Sequence, residues 1–208
     1  MSPFRLILVR HGETSWNRAR RFQGWQEVPL SAEGREQAEK VARALAGAGP
    51  AVVYASPLGR ARETAEIVAR PHRLAVTADE AFREMSFGAW EGLTAKEVRM
   101  AFADLYEAWR AAPHRVRFPG GEDLATVHAR ARAGIERLRA AHPGGTAVLV
   151  SHGIVVRLIV LDALGLSPER LWTVHATPAG ISEIEYRPGF ATVHRMNTLS
   201  HLEPAREP

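Results

Sequence analysis

The chain has 208 residues, 46% of them hydrophobic, and a formal net charge of +4, a size that suits one unit with a substantial core and would leave two halves marginal. It contains no cysteine, which excludes disulfide staples, thiolate nucleophiles and sulfur-ligated zinc. The basic residues are almost all arginine, Lys40 and Lys96 being the only lysines, and pairs such as Glu39/Arg43 and Glu66/Arg70 predict solvated helix faces rather than a nucleic-acid surface.

Residues 1–9 carry one basic residue and a short apolar run, so they predict a buried strand, not a signal peptide, and the strand empties into Arg10-His11-Gly12. No stretch approaches the roughly 20 apolar residues that cross a bilayer. With no cysteine to protect, a cytoplasmic location is expected. Ser31 is the expected N-cap of a helix to about Ala46, closed by Gly47 and Gly49. A strand is expected at 52–54, after which Ser56-Pro57 places a capping hydroxyl before a helix over 58–69 that stops at Pro71. A third strand is expected at 74–76. Residues 81–121 lack strand character and carry aromatics with Pro113 and Pro119, which predicts a helical excursion. A long helix over 124–141 ends at Pro143-Gly144-Gly145, and the strand at 147–150 empties into Ser151-His152-Gly153. An apolar helix then runs to Leu164 with Gly165 as its cap, and residues 181–186 and 193–196 predict a hairpin around Pro188-Gly189.

Strands alternating with helices predict a three-layer α/β/α fold. The expectation is an open, mostly parallel sheet with helices on both faces and a small helical lid at 81–121, all in a single domain spanning 1–208. Ligands bind outside the carboxyl ends of such strands, where Arg10-His11 and Ser151-His152 both fall. One histidine after a buried strand is as easily a core residue satisfied by backbone hydrogen bonds. Two imidazoles converging beside a guanidinium that cannot lose its charge make a poor core and a good phosphate site.

Four runs occur in order along nearly the whole chain. They are Leu8-Val9-Arg10-His11-Gly12-Glu13-Thr14; Ser56-Pro57-Leu58-Gly59-Arg60-Ala61 with Thr64-Ala65; Glu84 ahead of Phe87-Gly88-Ala89-Trp90-Glu91-Gly92; and Val150-Ser151-His152-Gly153. In these the chain resembles the histidine phosphatase superfamily, the phosphoglycerate-mutase-like proteins. The resemblance implies that His11 is a nucleophile that carries phosphate, and that Arg10 and Arg60 grip the phosphoryl oxygens. His152 would donate to another oxygen, best as an imidazolium. Glu84 would be the general acid and then the base, a double task that calls for a raised pKa with Phe82, Phe87 and Trp90 as the desolvating neighbours; from position alone Glu80 and Glu91 are equal rivals. Asn17, Gln23 and Gly24, in a loop like the family's, are implied phosphate binders. Arg62, about 200° round the helix from Arg60, is expected to face solvent.

The aspartates Asp79, Asp104, Asp123 and Asp162 are scattered, so no Mg²⁺ cage is expected. No P-loop or nucleophile-elbow motif is present, and Ser151, too close to His152 for a triad, is expected to support the site without touching the substrate. The reading is therefore a phosphatase without metal or cofactor, acting on a small phosphate ester, with neither nucleic acid nor membrane as partner and a homodimer as the assembly allowed. A phosphoglycerate mutase on the same phosphohistidine is the alternative. The segment between Glu84 and His152 is shorter than in such mutases, and Phe118-Pro119-Gly120-Gly121-Glu122 resembles the phosphatase branches. A non-catalytic phosphate or nucleic-acid binder is the third reading, against which stands the intact acid. Trp16, Phe22, Trp25, Phe87, Trp90, Tyr106 and Trp109 are expected near the mouth. Phosphoglycerates, sugar phosphates, nucleoside monophosphates and ribazole phosphate remain unranked.

Overall fold

A strand in mid-sheet, covered on both faces, needs apolar residues at every position, and Phe4–Arg10 (β1) supplies them: Leu6, Ile7, Leu8 and Val9 are all buried. The computed structural model describes residues 2–203; Met1, expected to open the first strand, and residues 204–208 of the expected domain lie outside the described residues. The other strands are β2 (Val52–Ala55), β3 (Val76–Ala78), β4 (Thr146–Ser151), β5 (Ile181–Arg187) and β6 (Phe190–Thr198). They form one six-stranded sheet in the order β3-β2-β4-β1-β5-β6. The first four in that order run parallel, while β5 is antiparallel to β1 and pairs with β6 as the expected hairpin.

The helices are α1 (Ser15–Arg18), α2 (Ala32–Leu45), α3 (Gly59–Ala69), α4 (Ala95–Ala101), α5 (Ala103–Ala111), α6 (Leu124–Ala141) and α7 (Gly153–Ala163). Strand alternation sorts them into two layers. Leu6, Leu8, Ala147 and Leu149 enter one core with α6, α7 and the excursion. Ile7, Val9, Val148 and Val150 enter the other with α2 and α3. This is the three-layer α/β/α arrangement the sequence predicts. The register pairs Val9 with Val150 and Arg10 with Ser151, so His11 and His152 leave the sheet side by side.

Several local expectations are corrected. The third strand begins two residues late, because Arg73 adopts φ +57° at the end of a 3-10 turn and only Val76 pairs with Val53. Ser56 does not cap α3: Leu58 is the N-cap with no side-chain hydrogen bond, and the Ser56 hydroxyl instead meets His152 Nε2 at 2.7 Å. The excursion is only partly α-helical, with α4 and α5 set among 3-10 turns at Glu80–Phe82, Gly88–Trp90 and Pro113–Arg115. Glu39 pairs across the α2–α3 contact with Arg70 at 2.9 Å rather than with Arg43, and Glu66 pairs with Arg62 at 3.6 Å rather than with Arg70. Arg62 faces solvent as expected. Among the described residues no helix is long and apolar enough to cross a membrane.

The turn after β1 packs directly on the first turn of α2. A Cβ on Gly34 would stand 2.0 Å from the Glu13 carbonyl oxygen, and one on Gly12 would stand 2.2 Å from that of Gly34. Alanine in a helix is ordinarily better than glycine by about 1 kcal/mol, but here the backbone collision decides the sign. Gly34→Ala is expected to lower stability by about 1–3 kcal/mol in urea unfolding. Gly47→Ala, whose Cβ would meet nothing within 4 Å, should be neutral or slightly stabilising. Equal behaviour of the two variants would contradict the proposed seating of this turn.

Candidate active site

His11 is 2% exposed and its two ring nitrogens have different partners. Nδ1 lies 2.7 Å from the Gly12 carbonyl oxygen, and a carbonyl can only accept, so Nδ1 carries the proton. Nε2 lies 3.3 Å from Arg60 Nε, a group that can only donate, so Nε2 holds the lone pair. Burial, and then the charges of Arg60 and Arg10, push the His11 pKa well below 6.5. The sequence left the orienting acceptor of this ring unnamed; it is a main-chain carbonyl.

Arg60, 1% exposed, is held by the loop before α2: Nη1 donates to the Gln26 carbonyl and Nη2 to that of Gly24, both at 2.8 Å. Arg10 donates through Nη1 to the Ala176 carbonyl, while its Nε is buried without a partner. Burial brings both guanidinium pKa values down to about 10, with Glu84 acting in the opposite direction, so both stay charged near neutrality. Thr64, on the turn of α3 after Arg60, accepts from the Gly12 N–H at 3.1 Å and donates to the Arg60 carbonyl at 2.8 Å.

Glu84 reaches the same cavity from the opposite side. Its Oε1 accepts from the Met85 N–H at 2.9 Å, and Oε2 from Ile154 N–H in the first turn of α7 at 3.4 Å. The rivals are placed elsewhere. Glu80 is exposed and pairs with Arg83, and Glu91 ties the Trp25 and Phe87 N–H groups, Ser86 Oγ and Gln26 Nε2 together. The main chain around Glu84 is gripped by Arg130, which uses all its donors: to the Ala81, Arg83 and Glu84 carbonyls and to both oxygens of Glu122.

The cavity, about 630 Å³, is lined by Arg10, His11, Asn17, Gln23, Gly24, Arg60 and Glu84, so seven of the eight predicted site residues share it. Within it Thr14 Oγ1 lies 3.0 Å from both Asn17 Oδ1 and Gln23 Oε1, its single proton serving one of them at a time. His152 does not reach the lining. It is fully buried behind His11, ring centroids 5.1 Å apart, with Nδ1 unpartnered. Without an anion bound, burial, followed by the nearby charge of Arg60, drives its pKa well below 6.5; the expected imidazolium belongs to the phosphate-bound state. Ser151 donates to the Phe82 carbonyl at 2.8 Å and so anchors the Glu84 segment from behind the cavity. Of the aromatics, Phe22, Phe87, Tyr106 and Trp109 line the cavity, while Trp16, Trp25 and the fully buried Trp90 do not. Arg110, Arg157 and Trp172 also line it and were missed; the available signal was Arg157, the lone cation among Gly153 to Leu161. Among the described residues no three His, Asp or Glu side chains are grouped to hold a metal ion.

A model of the histidine phosphatase superfamily (branch 1) matches residues 6–199. Phosphoserine phosphatase 1 of Hydrogenobacter thermophilus is 33% identical over 198 residues, 95% of this chain and 94% of that protein. A probable phosphoglycerate mutase GpmB of Salmonella paratyphi C is 33% identical over 186 residues, 88% of this chain and 85% of its own. Among solved structures, Bacillus stearothermophilus YhfR superposes with a TM-score of 0.91 at 34% identity, covering 96% of this chain and 100% of that one.

The two buried rings make a pH prediction. An unfolded chain protonates histidine near pH 6.5, whereas folded His11 and His152 stay neutral well below that. The unfolded state therefore binds more protons as pH falls. Stability should be lost from about pH 6.5 downward, by up to about 1.4 kcal/mol per pH unit for each ring, until the folded pKa values are reached. Urea unfolding between pH 8 and 5 reads the slope, and His152→Gln should roughly halve it. A flat wild-type profile would mean that the rings are not held neutral.

Proposed function

The chain belongs to the histidine phosphatase superfamily, whose members are phosphatases or mutases, and from this we propose a phosphomonoester hydrolase for small phosphorylated metabolites, working without metal or cofactor. The observation that carries the reading is the His11 ring, held neutral with its Nε2 lone pair beside two charged guanidinium groups and across a cavity from Glu84.

Nε2 attacks phosphorus in line as the bond to the ester oxygen breaks, and Glu84 as the acid gives its proton to the departing alkoxide. Oε2, whose backbone contact is the longer, is the oxygen that carries this proton. Arg60 Nε shifts its hydrogen bond from the lone pair to a phosphoryl oxygen, and Arg10 binds another through the Nε it leaves unpaired. Asn17, Gln23 and the Gly24 main chain complete the cradle. His152 lies behind His11 and outside the lining, so it acts as a further donor only if its unpartnered Nδ1 reaches past that ring, and an arriving dianion would favour its protonation. Glu84, now ionised, takes a proton from water attacking the phosphohistidine, so phosphate leaves and both groups return to their starting states.

A mutase would use the same phosphohistidine, but the phosphatase reading is favoured by the short excursion and by the similarity to a phosphoserine phosphatase over almost all of both chains. Assaying phosphoglycerate mutase activity with and without bisphosphoglycerate separates the two.

Rapid quench with labelled ester should trap an acid-labile, alkali-stable phosphoprotein on His11, with turnover that survives chelator and is inhibited by vanadate. His11→Ala should lose roughly three orders of magnitude or more; label on any other residue, or a metal requirement, would overturn the mechanism. For Glu84→Gln the loss should be about 10²–10⁴-fold on alkyl esters and far smaller on p-nitrophenyl phosphate, whose leaving group barely needs a proton. Equal losses would remove Glu84 from the acid role.

A further inference from the structure

The cavity holds more positive charge than a phosphoryl group requires. Besides Arg10 and Arg60 it is lined by Arg21, Arg110 and Arg157, against the single carboxylate of Glu84. Arg21 is paired with Glu97 at 3.1 Å, and Arg110 is exposed at the rim.

Arg157 differs from both. It is half-buried on an otherwise apolar stretch of α7. Its Nε donates to the Val174 carbonyl at 2.8 Å, and its guanidinium carbon lies 5.3 Å from the Trp172 ring centroid. These contacts fix the stem and plane, and among the described residues Nη1 and Nη2 have no hydrogen bond and Arg157 no ion pair. Burial lowers its pKa, with Glu84 acting the other way, so the cation is partly desolvated without a carboxylate in return. A half-buried arginine set in this way is poorly explained by packing and well explained by an anion.

Resting on the phosphatase reading above, we propose that Arg157 is a specificity-determining residue that binds a carboxylate at the far end of the substrate, making phosphorylated carboxylic acids the preferred esters. The Nη1/Nη2 edge offers parallel N–H groups that match two carboxylate oxygens. Arg157 supplies one fixed positive charge there, which a single carboxylate balances. Phe22, Phe87, Tyr106 and Trp109 line the space between as walls for the carbon body.

Matched esters that differ in the carboxylate test this: O-phosphoserine against phosphoethanolamine, and 3-phosphoglycerate against glycerol 3-phosphate. The wild type is expected to favour the carboxylated member of each pair by about tenfold or more in kcat/KM. Arg157→Gln should abolish that preference, chiefly through KM, and Arg157→Lys should restore part of it. Calorimetric binding of the same pairs to His11→Ala reads the contrast without turnover. No wild-type preference, or equal losses on both members in Arg157→Gln, overturns the assignment. p-Nitrophenyl phosphate separates the two failures. If it is hydrolysed while the carboxylate contrast is absent, only this inference falls; if no ester is hydrolysed, the phosphatase reading falls and the binding contrast alone decides the fate of Arg157.

Discussion

The 2.7 Å hydrogen bond between His11 Nδ1 and the Gly12 carbonyl determines which nitrogen of the ring is available. Were that carbonyl turned away, the other tautomer would compete, and the proton would sit on the nitrogen that faces Arg60. Burial beside two guanidinium groups then keeps the ring neutral, which is the state a nucleophile needs. The carbonyl in turn depends on the main chain of Gly12, pinned by Thr64 from α3 and pressed against Gly34 from α2. Two helices of one layer thus converge on a single acceptor oxygen, and the β1–β4 register sets the second imidazole beside it.

Buried charge in this molecule is handled in two contrasting ways. Arg130 lies under the Glu84 segment with every N–H group satisfied by a carbonyl or by Glu122; its role is to hold main chain, and nothing is left over for a ligand. Arg10 and Arg157, by contrast, keep part of their donor capacity unspent at the cavity. An unmade hydrogen bond on a buried cation costs stability; at Arg10 that cost falls on a buried Nε facing the proposed phosphoryl site, while the half-buried Arg157 leaves its Nη atoms open toward the cavity. The start of α7, which also donates Ile154 N–H to Glu84, adds its positive helix end to the same region.

Much of this was legible in the sequence because it depends on local pattern. The apolar runs ending at Arg10-His11 and Ser151-His152 give the strands and the crevice, and the 124–141 helix has the bounds expected of it. What escaped depends on contacts far apart in the chain. Ser56 reads as a helix cap until His152 arrives from 96 residues away to meet its hydroxyl. Glu80, Glu84 and Glu91 are indistinguishable by position, and only three-dimensional placement sends one to the cavity, one to solvent and one into a knot of loop N–H groups. Arg157 is obscure for a different reason: in a chain this rich in arginine, its one local signal, a lone cation on an apolar helix, is faint, and its meaning comes from the partners it lacks.

The proposed phosphoryl grip, Arg60, and the proposed proton donor, Glu84, come from separate parts of the chain, yet they are mechanically joined. The carbonyls that hold Arg60 belong to Gly24 and Gln26. Trp25, between them, donates its indole N–H to the Glu84 carbonyl at 2.8 Å and lies under the Arg83 guanidinium. Glu91 binds the Trp25 N–H, the Gln26 side chain and the Phe87 N–H at once. A shift of the loop that loosens Arg60 must therefore also pull on the backbone that carries Glu84. In the proposed mechanism attack and protonation fall on opposite sides of the same phosphorus, where an ångström of misplacement costs orders of magnitude in rate, and a shared mounting would keep the distance between the two groups fixed.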